Sequence, residues 1–259
     1  MFRRSLVWCA VSTLVLLLGV GVTRANASSI TFTFSGNSDG SVGNQRSFTD
    51  AGSGITVYAT AWYFKSGQTN FLKAGLGLYS SGLAVCNSDE DGSSYPCPSP
   101  QHAIDNENEN DFVLFLISSA VDLTSVHVER IDNDTDASYW VGNVTGGASQ
   151  TNLLNGKTLA NLGALGFGSQ QNDSPSGNQD SRTITLNSPL NSYNALLIGG
   201  SYNQGDEDDF FKIKQLTLNY ELTTTPLTPA AVPEPASFVL MGVGLVGLVA
   251  ARRRKARQN

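Results

Sequence analysis

The sequence predicts a mainly β protein: an antiparallel β-sandwich with long acidic loops, set between an N-terminal signal peptide and a C-terminal single transmembrane helix. Three observations carry the β assignment. Runs of β-branched and aromatic residues recur throughout residues 28–222, and Gly/Asn/Asp/Ser clusters separate them. The third is negative: no convincing amphipathic helical pattern exceeds about ten residues. No internal repeat of fixed period is present, which argues against a β-helix or a propeller.

Taken in order, "ITFTFS" alternates Ile30, Phe32 and Phe34 against threonines, and "GITVYATAWYF" continues in the same chemistry. "DFVLFLIS", Asp111 to Ser118, is a continuous apolar run of buried-strand length. Further strands are expected over Val121–Ile131, Ser138–Val144, Arg182–Leu186, Ala195–Gly199 and Phe210–Leu222. In the last of these Leu216, Leu218, Tyr220 and Leu222 alternate. "TNLLNGKTLANLGAL" offers the one short helix, while "SGNSDGSVGNQ" and "SQQNDSPSGNQD" are turn chemistry. No regular Thr-x-Thr ladder runs along the chain, so no flat ice-binding face is expected.

At the amino end Arg3 and Arg4 precede an apolar run from Leu6 to Val22, and Ala25 and Ala27 flank Asn26. A charged n-region, an apolar h-region and small residues at the cut predict a signal peptide over residues 1–27, cleaved after Ala27. The Sec translocon and signal peptidase are the implied partners. Cleavage removes Cys9 and leaves Cys86 and Cys97 in an oxidising compartment, so a disulfide is expected, adding about 2–3 kcal/mol through the unfolded state. The alternative, a zinc site, lacks the usual four ligands.

Between Ser28 and Pro235 stand all 22 acidic residues and eight basic ones, a formal charge of −14. Such a surface repels nucleic acid and other polyanions, and it favours divalent cations. Calcium is the cofactor this suggests. Asp132, Asp134 and Asp136 in "DNDTD" alternate as loop ligands do, but Ala137 stands where an EF-hand needs glycine and Asn143 where it needs a bidentate glutamate. A looser loop site stays open there. "SDEDG", with Asp89 and Asp91, and "GDEDDF", with Asp206 and Asp208, are the parallel candidates, each against the plainer reading of a solvated turn.

Catalysis finds little support. "GNSDG" matches the Gly-x-Ser-x-Gly pattern around Ser38, yet its context is a turn and no helix follows. His102 with Asp105 or Asp111 is the remaining acid/base candidate and defines the alternative reading, a secreted hydrolase. The domain is otherwise expected not to be an enzyme. Trp62, Tyr63, Tyr139 and Trp140 would stack on sugar rings if exposed; core packing ranks above that.

After a Thr/Pro linker at 223–231, the chain reads "VPEP" at Val232–Pro235, then an apolar stretch from Ala236 to Ala251, then Arg252, Arg253 and Arg254. Sixteen residues make a helix of about 24 Å, slightly short of a ~30 Å hydrocarbon core, with the basic end cytoplasmic. Pro233-Glu234-Pro235, a glycine-containing apolar helix and a terminal arginine cluster together resemble the PEP-CTERM sorting signal of Gram-negative bacteria. The resemblance implies recognition by an exosortase, cleavage near the Pro-Glu-Pro, and inner-membrane anchoring before release to the cell surface or extracellular matrix. It also implies association with exopolysaccharide or biofilm. "HAIDNENENDFVLFLIS" with the later "DNDTDASYWVG" resembles a pattern in one group of exosortase-dependent surface proteins and implies no activity.

Overall fold

The computed structural model describes residues 27–38, 40–89, 102–146, 148, 150, 152–174, 180–186, 193–202, 205, 207–221, 244, 246 and 252–254. The chain divides into two compact units, Ala27–Leu222 and a second one made of Met1–Asn26 with Thr223–Asn259. In the second unit the described residues Gly244, Val246 and Arg252–Arg254 are helical. The leader and most of the expected membrane helix lie outside the described residues. Among the described residues no helix is long and apolar enough to cross a membrane.

The larger unit is mainly β and antiparallel. Its strands are β1 (Ala27–Thr33), β2 (Gln45–Thr49), β3 (Thr56–Phe64), β4 (Leu72–Lys73), β5 (Gly75–Tyr79), β6 (Gly82–Cys86) and β7 (Ile104–Asp105). They continue as β8 (Asn110–Asn133), β9 (Ala137–Gly142), β10 (Gln171–Asp173), β11 (Arg182–Thr185), β12 (Tyr193–Gly200) and β13 (Asp209–Glu221). Pairing links all of them into one 13-stranded network in which two antiparallel sheets share a strand.

The reason is β8. The sequence predicts two strands, Asp111–Ser118 and Val121–Ile131; the structure joins them into one strand of 24 residues that runs unbroken through the exposed Ser118–Ala120. Asn110–Ile117 pairs with β3 and β12, whereas Val121–Asn133 pairs with β11 and β13. The sheet thus folds over on itself at Ser118–Ala120. Its two halves share one hydrophobic cluster in which Phe34 stacks on Phe115 with ring centroids 5.6 Å apart.

A second cluster explains why the first half of β8 shows no alternation. Val113, Phe115 and Ile117 enter the shared core, while Phe112, Leu114 and Leu116 enter a cluster on the other face with Trp62, Phe64 and Trp140. A strand buried on both faces reads as an unbroken apolar run. The cover for this outer face carries Val144, Leu154, Leu162 and Phe167. Here the expected short helix is two 3-10 turns, Leu159–Asn161 and Gly163–Leu165, ending at Gly166 with φ 99°. A Cβ at Gly166 would lie 2.2 Å from the Asn143 carbonyl oxygen, so this reversal requires glycine.

β13 connects the two ends of the unit. Asp209 at its start faces Asn133, and Glu221 at its end faces Ala27. Thirteen residues of strand separate these ends by roughly 40 Å. Because β8 doubles back, Phe112 opposite Gly199 also lies at the Asp209 end, where Asn106 packs against Gly200.

Candidate functional site: an acidic cluster and a sorting tail

The acidic end is built where β8 stops. Asn133 takes a left-handed conformation, φ 38°, that asparagine tolerates better than most residues. The following loop is then zipped onto the start of β13: Asp134 N donates to the Asp208 carbonyl at 3.1 Å, and Phe210 N donates to the Asp134 carbonyl at 2.9 Å. This brings carboxylate oxygens of Asp134, Asp136 and Asp209 within 4.8 Å of one another. Asp209 is fully buried and Asp136 is 7% exposed.

Neighbouring residues hold the cluster in place. Asn106 Nδ2 donates to Asp209 Oδ2 at 2.6 Å, and Asp209 N donates back to Asn106 Oδ1 at 3.0 Å. Ser201 N donates to the same carboxylate oxygen at 2.7 Å. On the other side Arg182, ion-paired with Asp173, donates from Nε to Thr135 Oγ1 at 2.9 Å and from Nη2 to the Thr135 carbonyl at 2.8 Å. Thr135 separates Asp134 from Asp136, so Arg182 fixes the loop without touching their carboxylates through these bonds. Concentrated carboxylate oxygens on a rigid frame suit a hard divalent cation, which takes oxygen ligands.

Of the sequence candidates, Asp134 and Asp136 reach this cluster. Asp132 is exposed and its Oδ1 accepts from Asn133 N, while Asp208 is exposed and contributes its backbone carbonyl. Asp206 and Asp91 lie outside the described residues. Asp89 is held elsewhere: the Lys65 ammonium at 2.7 Å and the Tyr63 hydroxyl at 2.8 Å keep its carboxyl below the usual carboxylate range. Asp209 closes the "GDEDDF" run and was overshadowed by its neighbours; the available signal was its place directly before the apolar strand. Asn106, within "HAIDN", carried no ligand pattern at all.

The catalytic candidates do not converge. His102 stacks on Tyr79, ring centroids 4.4 Å apart, and the Lys212 ammonium lies 4.4 Å from the same ring centre. Burial pushes the Lys212 amine down to about 8. Asp105 is buried in β7, Asp111 accepts from Asn87 Nδ2 at 3.2 Å, and Ser38 sits in a bridge to Leu78 followed by strand β2 rather than by a helix. Trp62, Tyr63, Tyr139 and Trp140 are all buried, so none of the four presents a ring for stacking on a sugar. Cys86 ends β6 in the interior and is disulfide-bonded; Cys97 lies outside the described residues.

The tail carries the address. Residues 231–255 match the PEP-CTERM protein-sorting motif, which spans Pro233, Glu234, Pro235 and the exposed helical Arg252, Arg253 and Arg254. The motif defines an exported, exosortase-dependent protein that is membrane-anchored before processing. The match covers those 25 residues of the tail, so what it shows is a PEP-CTERM sorting signal carried by this chain. No curated protein and no solved structure matches the chain.

Proposed function

We propose that this is a non-catalytic surface or extracellular-matrix protein of a Gram-negative bacterium. It crosses the inner membrane through the Sec translocon and loses residues 1–27 to signal peptidase. Residues 236–251 then hold it in the membrane until exosortase cuts near Pro235, and the released domain joins exopolysaccharide or biofilm. The observation that carries this reading is the sorting motif at residues 231–255. β1 begins at Ala27 and β13 ends at Glu221, so the first cut takes only the opening residue of β1 and the second falls beyond the last strand.

Two chemical features belong to the same reading. Cys86 pairs with Cys97 and closes the acidic loop between them. Asp134, Asp136 and Asp209 take a calcium ion; the support is their convergence from two chain segments at the far end of β13 from Glu221. The alternative, a secreted hydrolase, rests on His102, whose ring is packed on Tyr79.

The test is C-terminal peptide mapping by mass spectrometry on protein recovered separately from membranes and from the matrix of the native host. Matrix protein ending near Val232–Pro235 is expected. If every molecule keeps "RRRKARQN" and stays with membranes, the processing reading is lost.

A further inference from the structure

The face of the sheet turned away from the shared core, where β11, β8, β13 and β1 lie side by side, carries an array that the linear sequence hides. Registration across the strands sets Thr31, Thr217, Ser125 and Thr185 in one row. The next row is Thr33, Gln215, His127 and Thr183. The outer positions on β1 and β11 are exposed and the inner ones partly so. Two Thr-x-Thr pairs some 150 residues apart in the chain, Thr31/Thr33 and Thr183/Thr185, thus border one face.

The rows are ordered by their own contacts. Thr31 Oγ1 and Thr217 Oγ1 lie 3.1 Å apart, and His127 Nδ1 lies 3.1 Å from Thr183 Oγ1. Strand spacing repeats the groups about every 4.8 Å across the sheet and roughly every 7 Å along it. Each hydroxyl both donates and accepts, as sugar hydroxyls do. Within a region of formal charge −14, these eight positions hold no carboxylate and no lysine or arginine; the adjoining carboxylate is Glu129, two residues along β8, whose Oε1 lies 3.7 Å from His127 Nε2 and adds to the repulsion of a polyanion. A polyelectrolyte finds no counter-charge on the two rows, while an uncharged polyhydroxylated chain can lie there without stripping water from an ion.

We infer that this face docks a neutral polysaccharide strand laid across β1, β13, β8 and β11. The inference rests on the surface-protein reading and supplies it with a contact site, replacing the four aromatic residues that the core absorbs. A flat array favours an extended polymer over a small sugar, which needs a concave pocket.

The test uses the mature protein recovered from its native host, with swollen cellulose and a soluble neutral β-glucan as probes and alginate as the polyanionic control. Retention by at least one neutral probe and not by alginate is expected. A variant combining Thr31→Lys and Thr185→Lys, at the two ends of one row, is expected to lose roughly tenfold in affinity with its melting temperature unchanged. If that variant melts lower, Thr33→Lys with Thr183→Lys gives the same reading from the second row. Failure of the parent to bind either neutral probe, preference for alginate, or equal binding by parent and a well-folded variant overturns the inference. Terminal mapping judges export and processing independently, so a processed protein with an inert face sinks this site alone.

Discussion

Asn106 and Asp209, 103 residues apart in the chain, hold each other by two hydrogen bonds: the amide donates to the carboxylate, and the aspartate backbone donates to the amide oxygen. This pair ties the turn after β7 to the start of β13 and sets the depth of the acidic cluster. Replacing Asn106 with Ala removes both bonds beside a buried carboxylate. A loss of about 3 kcal/mol is expected, read by urea denaturation of the processed protein. A change within experimental error would mean that water or another donor replaces the amide.

Calcium is expected to raise the melting temperature. At a hundredfold excess over Kd a ligand adds about 2.7 kcal/mol, roughly 5–10 °C for a domain of this size. Asp134→Asn is the informative variant because Asp134 is the least buried of the three and its replacement keeps the shape. It should melt normally without calcium and lose most of the calcium response. Calorimetric scans of both proteins with and without the metal decide the matter; identical responses would remove the site.

Arg182→Met cuts the clamp on Thr135 and leaves the three carboxylates in place. The expected result is weaker calcium binding, by about tenfold, with a modest fall in stability. Titration calorimetry separates this positioning role from a purely structural one, which would lower stability without touching the affinity.

Lys212 gives a pH signature. Its amine is pushed down from 10.5 to about 8 by burial, so between these values the unfolded chain holds a proton that the folded chain does not. Stability contributed by this group therefore rises with pH from about 8 to 10.5, and its cost is fully present below 8. The face of Tyr79 offsets part of that cost. Lys212→Met is expected to flatten the rise and to melt higher than the parent at neutral pH. Melting curves taken across this window that remain parallel for the two proteins would contradict the assignment.

The strand runs were legible because alternation and apolar runs report burial directly: Ile30, Phe32, Leu216 and Leu218 all enter the core as their spacing implies. The union of two expected strands into β8 was not, since Ser118–Ala120 looks like a turn and only the pairing partners on either side keep the strand continuous. Trp62 and Trp140 illustrate a different limit. Their place in the second cluster depends on the cover from Val144 to Phe167, which no local pattern announces.

By itself the sequence determined the address, because a sorting signal is read as a linear string: Pro233-Glu234-Pro235, an apolar stretch and terminal arginines in that order. It also determined the β class, since strand periodicity is local. Only the tertiary structure decided which acids meet. Asp134 and Asp136 show their spacing in the chain, but Asp209 joins them through strand pairing across some 70 residues, and Asn106 through a turn another 30 residues upstream. The same holds for the hydroxyl rows, whose regularity exists across strands and not along any one of them. Register, set by where side chains must be buried, is the physical reason.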